Sequence, residues 1–189
     1  MDGQYIAGFV DGEGSFHIAF QKRPDLRFGW QAVPEFHVSQ NFTSREVLEG
    51  IQNVLQCGYI KANDAAGKRD KTLVYVVRDR KDLLEKVIPF FERFPLQTAK
   101  RKDFESFRLV VQMMQANEHL KIEGFKKIVA FAFAMNANGC YRKRKMVDIL
   151  SNLTPQRLYA RLPVERSVED TVRSSRRRED SRRNSGALR

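Results

Sequence analysis

Cysteine is almost absent from this chain. Cys57 and Cys140 form no CxxC pair and recur at no spacing, which excludes a disulfide scaffold and fits a reducing, intracellular setting such as cytoplasm, nucleoid or organelle matrix. Histidine is as scarce: His17, His37 and His119 are scattered, so no zinc-binding spacing is evident along the sequence. No apolar run approaches the ~20 residues of a membrane-spanning helix. The start, Met1-Asp2-Gly3-Gln4, carries no basic region followed by an apolar stretch, so no secretory signal is expected. Acidic residues are outnumbered, 23 against 34 basic ones, and a net charge of +11 with 42% hydrophobic residues describes a globular protein with a polyanionic partner. Nucleic acid is the default polyanion; a membrane surface is disfavoured because no basic amphipathic helix stands out.

What is present divides at about Pro155. Residues 155–189 hold ten Arg and five acidic residues, accounting for +5 of the net charge, and few large apolar side chains follow Leu162. This stretch reads as a basic, flexible tail, either an arm that touches phosphates or a solvated extension. Residues 1–154 read as one folded domain. The sequence predicts a short helix over residues 4–12 and a strand from about Ser15 to Arg23, where Phe16, Ile18 and Phe20 alternate with polar or small residues. A second strand is predicted from Trp30 to Gln40, exposing Gln31, Val33, Glu35, His37 and Ser39, with Pro34 arguing for an edge or a bulge. A helix capped by Ser44 runs to about Leu55, and two short strands cover 58–63 and 72–78. A helix stops before Pro89, and further helices cover 100–115, 118–135 and about 142–150. The faces of the fourth strand are not assignable, because Leu73 to Val77 is apolar throughout. The order implies an α+β fold with a four-stranded antiparallel sheet, helices on one face and the other face open.

The densest chemistry lies in Tyr5-Ile6-Ala7-Gly8-Phe9-Val10-Asp11-Gly12-Glu13-Gly14. Gly8 and Gly12 share a helix face and allow another backbone to approach. Asp11 and Glu13 fall at the helix C-terminus, where carbonyl groups already concentrate negative potential. A divalent cation would relieve that conflict, taking a backbone carbonyl as a further ligand. The same residues also describe a plain helix ending in a polar turn with solvated acids.

Residues Tyr5 to Phe16 resemble the signature of the LAGLIDADG homing endonucleases. Leu96-Gln97-Thr98-Ala99-Lys100-Arg101-Lys102-Asp103-Phe104 resembles the family's basic segment before a long helix. Glu118-His119-Leu120 through Gly124-Phe125, with Met135-Asn136, resembles its C-terminal helical region; the likeness spans residues 4–152. The resemblance implies the family's αββαββα fold, with a DNA-binding saddle sheet. It implies Glu13 and the Gly12 carbonyl as ligands for Mg2+, with Mn2+ as a substitute, and Gln40 and Lys100 as catalytic neighbours. Lys102 stands as the alternative to Lys100, and the family's basic position near Ser44 or Arg45 is not matched cleanly. Asp11 is expected to cap and orient rather than ligate. One signature implies a homodimer joined through Ala7, Gly8, Asp11 and Gly12, acting on a roughly palindromic double-stranded site. The open sheet face offers Ser15, His17, Gln21, Arg23, Gln31, Glu35, His37, Lys61 and Asn63 for base reading. The implied activity is metal-dependent, site-specific cleavage of DNA. The competing reading on the same fold is an intron RNA maturase or a DNA-binding regulator that does not cut.

Overall fold

The computed structural model describes residues 1–63, 71–138, 144–151 and 153. Most of the polar loop after Asn63, Cys140 and the whole basic tail from Pro155 therefore lie outside the described residues. Helix α1 (Gly3–Glu13) leads into strands β1 (Gly14–Lys22) and β2 (Trp30–Asn41), then α2 (Arg45–Leu55), β3 (Tyr59–Ala62) and β4 (Thr72–Val77). Helical turns α3 (Arg80–Asp82) and α4 (Ile88–Arg93) flank a π-helical stretch (Leu83–Val87). Helices α5 (Lys100–Gln115), α6 (Ile122–Asn138) and α7 (Met146–Leu150) follow. The strands form one antiparallel sheet in the order β1-β2-β4-β3, and the class is α+β, as the element order implies.

The alternation of β1 and β2 sets the two faces. Pairing Phe16 with Phe36 and Ile18 with Pro34 turns Phe16, Ile18, Phe36 and Val38 inward, where all four are fully buried. Helix α5 packs on β1 and β2, α2 on β2 and β4, and α6 on β1. Phe16 is the hub of this core: its ring lies 4.9 Å from Phe36, 5.4 Å from Phe91, 5.3 Å from Phe104 and 5.4 Å from Phe107. Cross-strand pairing also settles β4. Phe36 opposite Val77 and Val38 opposite Tyr75 put Leu73, Tyr75 and Val77 inward, leaving Val74 and Val76 on the outer face.

Pro34 sits in the half of β2 that has a single neighbour, because β4 pairs only with Phe36–Asn41. The proline thus keeps the edge environment its missing N–H requires, inside an interior strand. The helix expected to stop before Pro89 does not stop. The Ile88 N–H bonds to the Leu83 carbonyl in a π turn, and Pro89 falls in the first turn of α4, where no intrahelical donor is needed. Helix α6 starts at Ile122 rather than at 118, because Asn117 adopts left-handed backbone and Glu118–Leu120 forms a 3-10 turn. Helix α7 starts at Met146 rather than near 142. Ser44 precedes α2 but makes no capping hydrogen bond; the Asn41 side chain instead accepts from the Thr43 N–H at the turn before it. Among the described residues, no helix is long and apolar enough to cross a membrane.

Two helix ends meet beside the sheet. The Asp2 side chain caps the start of α1, accepting from the Gln4 and Tyr5 N–H groups at 3.1 and 3.2 Å. At its far end, Gly14 leaves α1 for β1 in extended backbone with its N–H on the Val10 carbonyl. A Cβ at Gly14 would lie 2.5 Å from Val10 Cγ1 and 2.8 Å from Val10 O, so only glycine fits. Asp11 reaches across to the start of α5, accepting from the Gln97 N–H at 2.7 Å, the Thr98 N–H at 3.3 Å and the Thr98 hydroxyl at 2.7 Å. Burial pushes the Asp11 carboxyl up, but these hydrogen bonds and the nearby Lys100 charge outweigh it and hold the group below its ordinary value.

Removing the hub by Phe16→Ala should cost about 3–5 kcal/mol in urea unfolding, the range for a fully buried phenylalanine. Asp11→Ala should cost about 1–2 kcal/mol, the scale of a lost helix cap. Because the native carboxyl is held below its unfolded value, its contribution is present at neutral pH and lost as pH falls through the native value. The gap between wild type and Asp11→Ala should therefore close in acid, as read by unfolding at pH 7 and at pH 3.

Candidate active site

Helix α1 buries Gly3, Ile6, Ala7 and Val10 against its own chain and leaves Gly8, Gly12 and Glu13 exposed. A Cβ built at Gly8 or at Gly12 would meet nothing within 4 Å. Neither glycine is therefore required by packing inside the chain, in contrast to Gly14. Ala7 is 3% exposed and belongs to the core. Asp11 is committed to Gln97 and Thr98.

At the C-terminus of α1 the carbonyls find a cation. Lys100 Nζ donates to the Val10 carbonyl at 2.9 Å and to the Gly12 carbonyl at 3.2 Å. Burial pushes the Lys100 ammonium below its ordinary value, partly offset by the charges of Asp11, Glu13 and Asp103. Glu13 makes no hydrogen bond or ion pair among the described residues, yet its charge is felt at Lys100. The structure thus brings Gly12, Glu13 and Lys100 together. Lys102, one turn-face away, is exposed, so of the two lysines Lys100 is the one at the helix end. Gln40 Oε1 accepts from the Asn41 N–H at 2.7 Å, at the last inward position of β2, two residues past Val38, the partner of Gly14. The donors on offer at the α1 terminus, an exposed carboxylate and an exposed-edge peptide carbonyl, are hard oxygens of the kind Mg2+ takes.

The outer sheet face gathers most of the residues expected there. Ser15 lies opposite His37, His17 opposite Glu35, and Gln21 opposite Gln31. Lys61 lies opposite Val74 on the same face, and the Asn63 N–H bonds to the Thr72 carbonyl just beyond β3. Arg23 is tied locally, donating to Asp25 at 2.8 and 2.9 Å and to Gln31 Oε1 at 3.2 Å.

Glu35 departs from the expectation of a free base-reading acid. It is 3% exposed, and both of its oxygens are engaged. His17 Nε2 and His37 Nε2 each lie 3.0 Å from Oε2, and Arg78 Nε lies 2.6 Å from Oε1. Burial pushes the Glu35 carboxyl up, but the two imidazoles and the Arg78 charge outweigh it, leaving it well below the ordinary carboxylate range. Sequence reasoning missed Arg78, whose place follows from β4: positions 74 and 76 face outward, and 78 continues that alternation past the strand end. Asn136 was noted only as part of a resemblance. In left-handed backbone at the end of α6, it donates through Nδ2 to the Phe16 carbonyl at 2.9 Å, and its N–H donates to Asp103 at 3.0 Å. It ties α6 to both β1 and α5.

Comparison with known proteins agrees with this geometry. The family described as LAGLIDADG endonuclease matches residues 6–111. A probable intron-encoded endonuclease 2 of Neurospora crassa is 34% identical over 138 residues, 72% of this chain but 29% of its own length. Among solved structures, the crystal structure of the homing endonuclease I-TnaI superposes with a TM-score of 0.72 at 32% identity, covering 82% of this chain and 99% of that one. The I-SmaMI LAGLIDADG homing endonuclease bound to cleaved DNA superposes with a TM-score of 0.68 at 30% identity, covering 72% of this chain and 44% of that one. With the family match running from the signature helix across the four-stranded antiparallel sheet into α5, this chain belongs to the LAGLIDADG endonucleases.

Proposed function

We propose that the chain is a site-specific double-strand DNA endonuclease of the intron-homing kind, active as a homodimer and dependent on a divalent metal. The observation that carries the reading is the end of α1. An exposed Glu13 carboxylate, without a partner among the described residues, stands beside the Gly12 carbonyl and a half-buried Lys100 ammonium.

Glu13 and the Gly12 carbonyl would hold Mg2+, with Mn2+ able to replace it. Bound there, the ion would activate water and stabilise the leaving oxygen of a phosphodiester. Lys100 is fixed by two carbonyls at a place where burial strengthens its field, so it is suited to stabilise charge developing on the phosphate. Gln40 belongs to the same scheme as a polar neighbour that orients water.

Dimerisation is supported by the exposed glycine face. Gly8 and Gly12 have open space above them, and a second α1 laid along that face would bring two Glu13 carboxylates to one end of the helix pair. The chain aligns with 99% of I-TnaI but 44% of I-SmaMI, the proportion expected if it supplies one half of a two-part site. A two-fold dimer of saddle sheets would read a pseudo-palindromic duplex through Ser15, His17, Gln21, Arg23, Gln31, His37, Lys61 and Asn63. The net charge of +11 supports the polyanionic partner. Residues 155–189 are proposed as a basic extension of the 1–154 endonuclease domain.

The reading is tested by screening the purified chain on a randomised duplex library with and without Mg2+. Cleavage should stop with chelator and return with Mg2+ or Mn2+. Glu13→Gln should retain the dimer and bind the selected site without cutting it; cutting at the wild-type rate would falsify the assignment of Glu13. Gly8→Leu should sediment as a monomer and lose cleavage. Lys100→Met should lower the single-turnover rate by about 10²–10³-fold, the scale of removing one charge-stabilising donor, with little change in site binding.

A further inference from the structure

Glu35 and His37 stand two residues apart on one face of β2, and the β1–β2 register brings the distant His17 beside them on the outer sheet face. His17 Nε2 and His37 Nε2 lie 3.0 Å from the same oxygen, Glu35 Oε2, and one ligand atom from each of the three residues falls within 4.8 Å of the others. In a tetrahedral site with bonds of 2.0–2.2 Å, neighbouring ligand atoms stand roughly 3.3 Å apart. The observed spacing needs only small side-chain rotations to reach it.

The surroundings of the cluster suit a cation. The Nε2 of His37 is buried 3.0 Å from Glu35 Oε2, facing the cluster rather than solvent. Glu35 is an almost fully buried carboxylate on the outer sheet face, with 4% of its side chain exposed. Arg78 Nε holds Oε1 at 2.6 Å, which orients the carboxylate and presents Oε2 alone as a single-oxygen ligand. The two imidazoles keep 26% and 23% of their side chains exposed, so solvent reaches the edge of the cluster.

We propose that His17, Glu35 and His37 bind a zinc-class transition-metal ion on the outer face of the sheet, separate from the oxygen-donor site at the end of α1. Two imidazole nitrogens and one carboxylate oxygen, with water as a fourth ligand, would select Zn2+ or Co2+ over Mg2+, which takes oxygen ligands and keeps its water. The two sites therefore discriminate by ligand chemistry. Zinc binding at this cluster does not depend on the proposed nuclease activity.

The test uses the full chain, stripped with chelator and then dialysed against micromolar Zn2+ in the presence of millimolar Mg2+. Metal content is measured by mass spectrometry. Wild type and Glu13→Gln should each retain a single zinc ion per chain. His37→Ala and Glu35→Gln should retain none, and Arg78→Leu should bind about 10–100-fold more weakly, the range for loss of an outer partner. Ligation is read without any variant by adding Co2+ to the stripped wild-type chain, which should develop the visible absorption of a nitrogen-ligated, low-coordinate ion. Absence of retained zinc in wild type, its displacement by Mg2+, undiminished retention in a folded His37→Ala, or a Co2+ spectrum like that of the hydrated ion would each overturn the proposal.

Discussion

Two helix ends with opposite needs meet at residues 10–13 and 97–100. The C-terminus of α1 presents carbonyls that lack donors, and the N-terminus of α5 presents amides that lack acceptors. Each end sends a side chain to the other. Asp11 leaves α1 to accept from Gln97 and Thr98, while Lys100 leaves α5 to donate to Val10 and Gly12. The exchange satisfies both dipoles at once and places a cation and an unpaired acid, Glu13, at one spot. The aromatic hub around Phe16 supports this junction from below, since Phe104 and Phe107 of α5 pack on the strand that α1 runs into.

Much of the fold was legible because its signals are local. The alternation of Phe16, Ile18 and Phe20 needs only the two-residue period of a strand, and the apolar stripe of 100–115 needs only the helical period. The misses came from contacts no window contains. Pro89 looks like a stop until the π turn before it shifts the hydrogen-bond register. The uniform apolar run Leu73–Val77 hides its faces until β2 is laid beside it. Asn117 breaks the helical reading of 118–121 through a left-handed backbone that its neighbours do not announce.

The site divides in the same way. Glycines and acids concentrated in ten residues could be read directly, and the resemblance supplied the lysine. The distinction between glycines could not be read. Gly14 is demanded by Val10 within the chain, whereas Gly8 and Gly12 answer to nothing inside it. Ala7 looks like part of the same small-residue face but turns into the core. Glu35 was legible as outward-facing, but its engagement depends on Arg78, 43 positions later in the sequence, and on two imidazoles from different strands.

The glycine junction at residue 14 has a consequence for how such a protein can change. Glu13 and His17 are separated by three residues of continuous strand, with no loop between the helix end and the outward face. Inserting or deleting one residue there would invert every side chain of β1, sending Phe16 and Ile18 to solvent and Ser15 and His17 into the core. The outward surface can therefore diversify by substitution but not by length, and its distance from Glu13 is set by the architecture: a ruler whose markings can be repainted but not moved.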